Sequence, residues 1–152
     1  MKRELFSATE IHASAAQVWQ ILTDFSRYPE WNTFLLRVVG RPAVGERLTV
    51  TAKPVGRRPM TFRTRILICE AEHELRWRGV LLIPGLFDGV HGFRLERSAH
   101  GVRFHHWERF TGPLVPLLMP RMEPQLRQGF WGMNAALKSR AEAQASGSAA
   151  IA

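Results

Sequence analysis

From Arg47 to Phe110 the chain alternates apolar and polar side chains with a period of two, segment after segment, and only one long amphipathic helix follows to cover what that pattern exposes. Arg47 to Lys53 sets Leu48, Val50 and Ala52 against Arg47, Thr49 and Thr51. Met60, Phe62, Thr64, Ile66 and Ile68 face away from Thr61, Arg63 and Arg65, and Leu75, Trp77, Gly79 and Leu81 face away from Arg76 and Arg78. Phe87, His91, Phe93 and Leu95 then oppose Asp88, Arg94 and Glu96. Val102, Phe104, His106, Glu108 and Phe110 oppose Arg103, His105, Trp107 and Arg109. Polar residues on one face of an antiparallel sheet leave the other face in need of cover, and a single helix covers it only if the sheet curves around it.

The flanking segments complete the order. Leu5 to His12 alternates as a first strand, and Ser14-Ala-Ala-Gln17 supplies a capping box for a helix reaching Thr23, with Val18, Leu22 and Phe25 on one face. The run Arg27-Tyr28-Pro29-Glu30-Trp31-Asn32 breaks that helix, because proline cannot extend it, and sets two aromatics on a turn. Phe34 to Val39 reads as a short strand and Pro42 to Gly45 as a turn. In the last segment Met122, Leu126, Phe130, Met133 and Leu137 form an apolar stripe, and Pro124, tolerated only in a first turn, places the start of the regular helix near Glu123. Gly129 and Gly132 weaken this helix, and the expectation is that bulk there would fill a cavity.

In its Val18-Trp19 pair, the run through Trp31, Leu75-Arg-Trp77, Gly89-Val-His91-Gly-Phe93, Glu108-Arg-Phe110-Thr-Gly112 with the apolar residues after it, and Gly129-Phe130 to Lys138, the chain resembles the START-like, or SRPBCC, superfamily. That superfamily includes the polyketide cyclase/dehydrase-like proteins. The likeness extends from about residue 3 to 142. It implies an α+β helix-grip fold: a curved antiparallel sheet of about seven strands wrapped around a long C-terminal helix, with two short helices after the first strand. The domain is expected over residues 1–145 and a flexible tail over 146–152.

At 152 residues the chain has the length of one domain. Cys69 is the only cysteine, which excludes a disulfide framework or a cysteine-based zinc cluster and suits a reducing cytoplasm. No apolar run reaches membrane-spanning length. The net charge of +8 invites a nucleic-acid reading. The excess is spread from Arg3 to Arg140 among acidic residues and lacks any nucleic-acid-binding motif, so no nucleic-acid partner is expected. No metal-ligand spacing, phosphate loop or nucleophile elbow occurs, and no cofactor is expected. Homo-oligomerisation is left open.

The candidate chemistry lies on the last two strands. A tight hairpin over Ser98 to Gly101 pairs Leu95 with Phe104, Phe93 with His106 and His91 with Glu108. A carboxylate among phenylalanines is costly unless paired, so Glu108 is expected to hydrogen-bond His91 inside a cavity with His106 diagonal to the pair. The wall of that cavity is expected to comprise Trp31, Phe62, Ile66, Trp77, Phe87, Phe93, Phe104, Phe110, Leu126, Phe130 and Met133. His105 and His12 are assigned to solvent, and Arg63, Arg65, Arg76 and Arg78 to a solvated convex face.

Two readings stay open. In one, His91, His106 and Glu108 form a satisfied polar network that orients a hydrophobic ligand such as a lipid, polyketide or aromatic metabolite. In the other, they are catalytic residues transferring protons in a cyclase/dehydratase-like enzyme, chemistry the resemblance implies. Without a second convergent acid, the first reading is favoured. A protein-interaction role like that of co-chaperone relatives, through the convex arginines, is a third.

Overall fold

The computed structural model describes residues 2–81 and 83–151, with the side chains of 148–151 outside the description. Its elements run β1 (Lys2–Ile11), α1 (Ala15–Thr23), a 3₁₀ turn (Phe25–Glu30), β2 (Leu35–Val39), β3 (Arg47–Ala52), β4 (Met60–Glu70), β5 (Glu74–Val80), β6 (Asp88–Ser98), β7 (Gly101–Thr111) and α2 (Val115–Ile151). The strands form one antiparallel sheet in the order β1-β7-β6-β5-β4-β3-β2. This curled sheet grips α2, which lies against β1, β7 and α1. The helix-grip expectation is met. The expected tail falls partly on residues outside those described.

The capping box closes as the sequence implies: the Ser14 hydroxyl accepts from Gln17 N, and Gln17 Oε1 accepts from Ser14 N. The proline-containing run forms the 3₁₀ turn. It buries Tyr28 completely, with its hydroxyl donating to the Leu22 carbonyl at 2.5 Å and its ring edge-on to Trp31 and Phe25.

Two features depart from the pattern. Strand β4 carries a bulge between Ile66, opposite Trp77, and Ile68, opposite Arg76. The extra residue turns Ile68 onto the convex face and gives its inward place to Cys69, opposite Leu75. Three apolar residues in a row at 66–68 hide this change of phase. Helix α2 begins at Val115, eight residues before Glu123, and runs through Pro120 and Pro124. Pro116, Pro120 and Pro124 recur every four residues and all three are exposed. The bonds they delete therefore fall on the solvent side, where a freed carbonyl is open to water, and the Gly112 carbonyl accepts from Val115 N. Glu123 then fixes this end of α2 to the sheet, accepting two hydrogen bonds from Arg3 and two from Arg127. Those partners, Arg3 foremost, hold its carboxyl below the usual range against the opposing effect of burial.

The convex face is less bare than expected. His105 is buried there beneath Phe6, ring centroids 5.6 Å apart, and its Nε2 is 2.9 Å from Glu96 Oε2. Strand β1 pairs directly with β7, so its outward Phe6 roofs over a position that would otherwise face water. Arg76 pairs with Glu74 and lies over the Trp107 ring, and Arg78 pairs with Asp88.

Candidate active site and ligand cavity

The hairpin register is the one the sequence dictates: His91 opposite Glu108, Phe93 opposite His106 and Leu95 opposite Phe104. All six side chains point inward toward α2, because Ser98 and Gly101 close the turn with no residue to spare. His91 Nδ1 lies 3.3 Å from Glu108 Oε2. The shorter contact is on the other side of the ring, where His91 Nε2 is 2.7 Å from His106 Nε2. The hydrogen bond expected between His91 and Glu108 is thus made between the two imidazoles instead, with the carboxylate in contact on the outer side and His106 at the inner end.

Two further members escaped the sequence reading. His106 Nδ1 is 2.8 Å from Asn134 Oδ1, Asn134 Nδ2 donates to Ser7 Oγ at 2.9 Å, and Ser7 Oγ donates to the His106 carbonyl at 3.1 Å. Both carried a signal. Asn134 sits on the apolar stripe of α2 between Phe130, Met133 and Leu137, and Ser7 shares the inward parity of Leu5 and Ile11 on β1. A polar residue at a core position has to find a partner.

His106 is completely buried between Phe130 on α2 and Phe93 on β6. Burial is the main cause that holds its pKa well below the ordinary histidine value. The neighbouring His91 adds to the effect and the Asn134 hydrogen bond opposes it.

The interior divides at His91. Around His106 the space is filled: Phe93, Phe104 and Phe130 pack on its ring, Met133 is buried and off the cavity, and Ile66 and Trp31 likewise lie off the cavity. Of the expected wall, the structure brings together Phe62, Trp77, Phe87, Phe110 and Leu126 with His91 and Glu108. Phe34, Leu35, Ala52, Met60 and Met122 join them. Phe34 enters because Asn32 Oδ1 accepts from the Phe34 and Leu35 amides and turns the chain inward. Its ring occupies the space over Gly129, where a Cβ would come within 2.4 Å of Phe34 Cδ1, so that glycine serves close packing rather than a hollow.

The remaining cavity has a volume of about 70 Å³. It continues into an apolar groove of about 260 Å³, bounded by Arg57 and Leu118 and sharing Pro54, Met60, Leu81 and Met122. Among the described residues, His91 and Glu108 are the only polar side chains in the cavity wall. The arrangement can hold an apolar molecule and meet one of its polar atoms.

Solved structures with this fold include the di-domain aromatase/cyclase StfQ from the steffimycin biosynthetic pathway, with a TM-score of 0.76 at 13% identity. That match covers 96% of this chain, and the chain spans about half, 52%, of the StfQ chain. The Zhui aromatase/cyclase from Streptomyces sp. R1128 aligns with a TM-score of 0.76 at 14% identity, covering 93% of this chain and 94% of that one. A norcoclaurine synthase of Thalictrum flavum aligns with a TM-score of 0.70 at 14% identity, covering 93% and 94%. These identities speak for the fold alone. No curated protein matches the chain by sequence. A family model described as polyketide cyclase / dehydrase and lipid transport matches residues 4–142, and with the strand order and gripped helix in agreement, the chain belongs to that family.

Proposed function

We propose that the protein binds a hydrophobic small molecule, a lipid, polyketide or aromatic metabolite, between the open end of the sheet and the first turns of α2. The observation that carries this reading is the cavity wall: phenylalanines, Trp77, Met122 and Leu126 around one polar pair, His91 and Glu108. Apolar burial at about 25 cal/mol per Å² supplies affinity, and the pair supplies orientation. Because the enclosed space is small, a ligand of polyketide size extends into the adjoining groove past Met60 and Met122. Membership of a family that spans cyclases, dehydrases and lipid carriers supports the same reading.

Proton transfer by the same pair is the second reading, favoured by a carboxylate and an imidazole sharing the wall of an otherwise apolar space. The named activities of the aromatase/cyclases and the norcoclaurine synthase lend it support. Native mass spectrometry after gentle purification tests the first reading through a retained hydrophobic mass. Substitution of His91 or Glu108 separates the two: a carrier keeps most of its affinity, whereas an enzyme loses turnover roughly a hundredfold or more.

A further inference from the structure

Ion pairing in the fold gathers a charge that is scattered along the sequence. No acidic residue lies between Glu46 and Glu70, whereas that stretch carries Arg47, Lys53, Arg57, Arg58, Arg63 and Arg65. The β3–β4 hairpin thus holds six of the eight units of net positive charge, and the rest of the chain is close to balance. Arginines elsewhere find carboxylates, as Arg3, Arg76, Arg78, Arg109 and Arg140 do. None of the six hairpin cations makes an ion pair among the described residues. The register even sets Arg47 directly opposite Arg65, and Arg65 opposite Arg78. Like charges facing each other across strands weaken a sheet, and a partner of opposite charge reverses that cost.

The tip of this hairpin forms one wall of the apolar groove. Lys53, Arg57 and Arg58 are exposed there, and Arg57 Nη2 donates to the carbonyl of Arg121, an exposed residue of α2, at 2.8 Å. Three large apolar side chains stand out into solvent around the same opening. Val55 on the hairpin tip is 48% exposed, Ile83 between β5 and β6 is 61% exposed, and Leu117 in the first turn of α2 is 64% exposed. Pro54 and Leu118 beside them, and Leu81 two residues from Ile83, line the groove. On the convex side Arg47, Arg63, Arg65 and Arg78 form a further band that reaches Val80 and Pro84. Cations and hydrocarbon therefore share the end of the molecule at which the cavity opens.

We propose that this end docks on the surface of an anionic lipid bilayer, with Val55, Ile83 and Leu117 entering the interface and Lys53, Arg57, Arg58 and Arg121 lying among the phosphates. Apolar side chains ringed by cations fit the boundary between headgroups and acyl chains, where hydrocarbon is buried about 5–10 Å deep beneath a plane of negative charge. Three apolar tips on three separate segments match a fluid hydrocarbon plane, whereas a soluble acidic partner answers the cations alone. The contact is peripheral, since among the described residues no helix is long and apolar enough to cross a membrane. Charge and exposure carry the inference, and it stands whether or not the cavity holds a ligand.

Flotation of the full chain with lipid vesicles tests this docking. Binding is expected to vesicles of phosphatidylcholine and phosphatidylglycerol in equal parts, to weaken as salt rises, and to be at least about tenfold weaker on phosphatidylcholine alone. Lys53→Gln combined with Arg58→Gln removes two side chains that make no hydrogen bond or ion pair among the described residues, and is expected to lose at least about tenfold in affinity for the anionic vesicles. Val55→Ser combined with Ile83→Ser is expected to lose a similar factor, and thermal unfolding of both variants should stay cooperative because all four positions are exposed. No flotation with the anionic vesicles, or equal binding to the neutral ones, overturns the proposal. Undiminished binding by either folded variant overturns it too, and in the serine variant assigns the face to a soluble polyanion, an acidic protein included, held by charge alone. Vesicle binding and uptake of N-phenyl-1-naphthylamine by the cavity are separate readouts, so the failure of one leaves the other standing.

Discussion

The His106 ring lies flat on Phe130, centroids 3.9 Å apart and planes within 10° of parallel, so a titratable side chain from the sheet is sealed by the helix that the sheet grips. Protonating His106 in that position places a charge between hydrocarbon rings. Stability should therefore depend on pH in a defined direction. The unfolded chain takes up a proton near the ordinary value of 6.5, whereas the folded chain resists until its lowered pKa is reached. The stability that neutral His106 permits is fully present above pH 6.5 and is lost as pH falls below it, by up to about 1.4 kcal/mol per pH unit for one proton. Denaturant unfolding at pH 7, 6 and 5 measures this slope, and His106→Gln should flatten it while lowering stability at pH 7.

Phe130→Ala should cost about 3–5 kcal/mol, because it opens a cavity and removes the ring stacked on His106. With water admitted to the imidazole, the midpoint of His106 titration should rise toward its ordinary value, a shift readable from its ring-proton resonances.

Two glycines in α2 should respond with opposite signs. Alanine normally improves a helix over glycine by about 1 kcal/mol, and at Gly147 no atom of the described residues lies within 4 Å of the added methyl group, so Gly147→Ala should stabilise by a few tenths to about 1 kcal/mol. At Gly129 the methyl group meets Phe34 Cδ1 at 2.4 Å, and Gly129→Ala should destabilise despite the better helix propensity. Chemical denaturation of both variants checks the reversal.

Gly89→Ala moves the site's carboxyl without deleting any functional group. A Cβ at residue 89 would come within 2.8 Å of Glu108 Oε1, so the carboxyl must leave its present place beside His91. If the pair orients ligand, affinity for a hydroxyl-bearing probe should fall more than tenfold and affinity for its hydrocarbon analogue should hardly change, as parallel titrations would report.

Much of this architecture was legible in the residues, and its failures share a physical cause. The β6–β7 register followed from one tight turn and alternation on both sides, which forced His91 opposite Glu108. The capping box at Ser14 and Gln17 is a local device and was equally readable. The bulge at β4 was not, because the apolar run Ile66-Leu67-Ile68 carries no phase. The start of α2 was misplaced because each proline was weighed alone, whereas their shared solvent face is a property of the helix as a whole. The hollow proved smaller than the pattern suggested, since parity tells which side chains point inward and not whether Phe93, Phe104, Phe130 and Met133 fill the space among themselves.

The account rests on a cavity that admits an apolar guest, and Ala52, on its wall at the end of β3, gives the most direct test. Fluorescence titration with N-phenyl-1-naphthylamine should show saturable binding to the wild-type chain and its loss in Ala52→Phe, whose added ring occupies the same space while thermal unfolding stays cooperative. No saturable binding to the wild type, or equal binding to a folded Ala52→Phe, would contradict it.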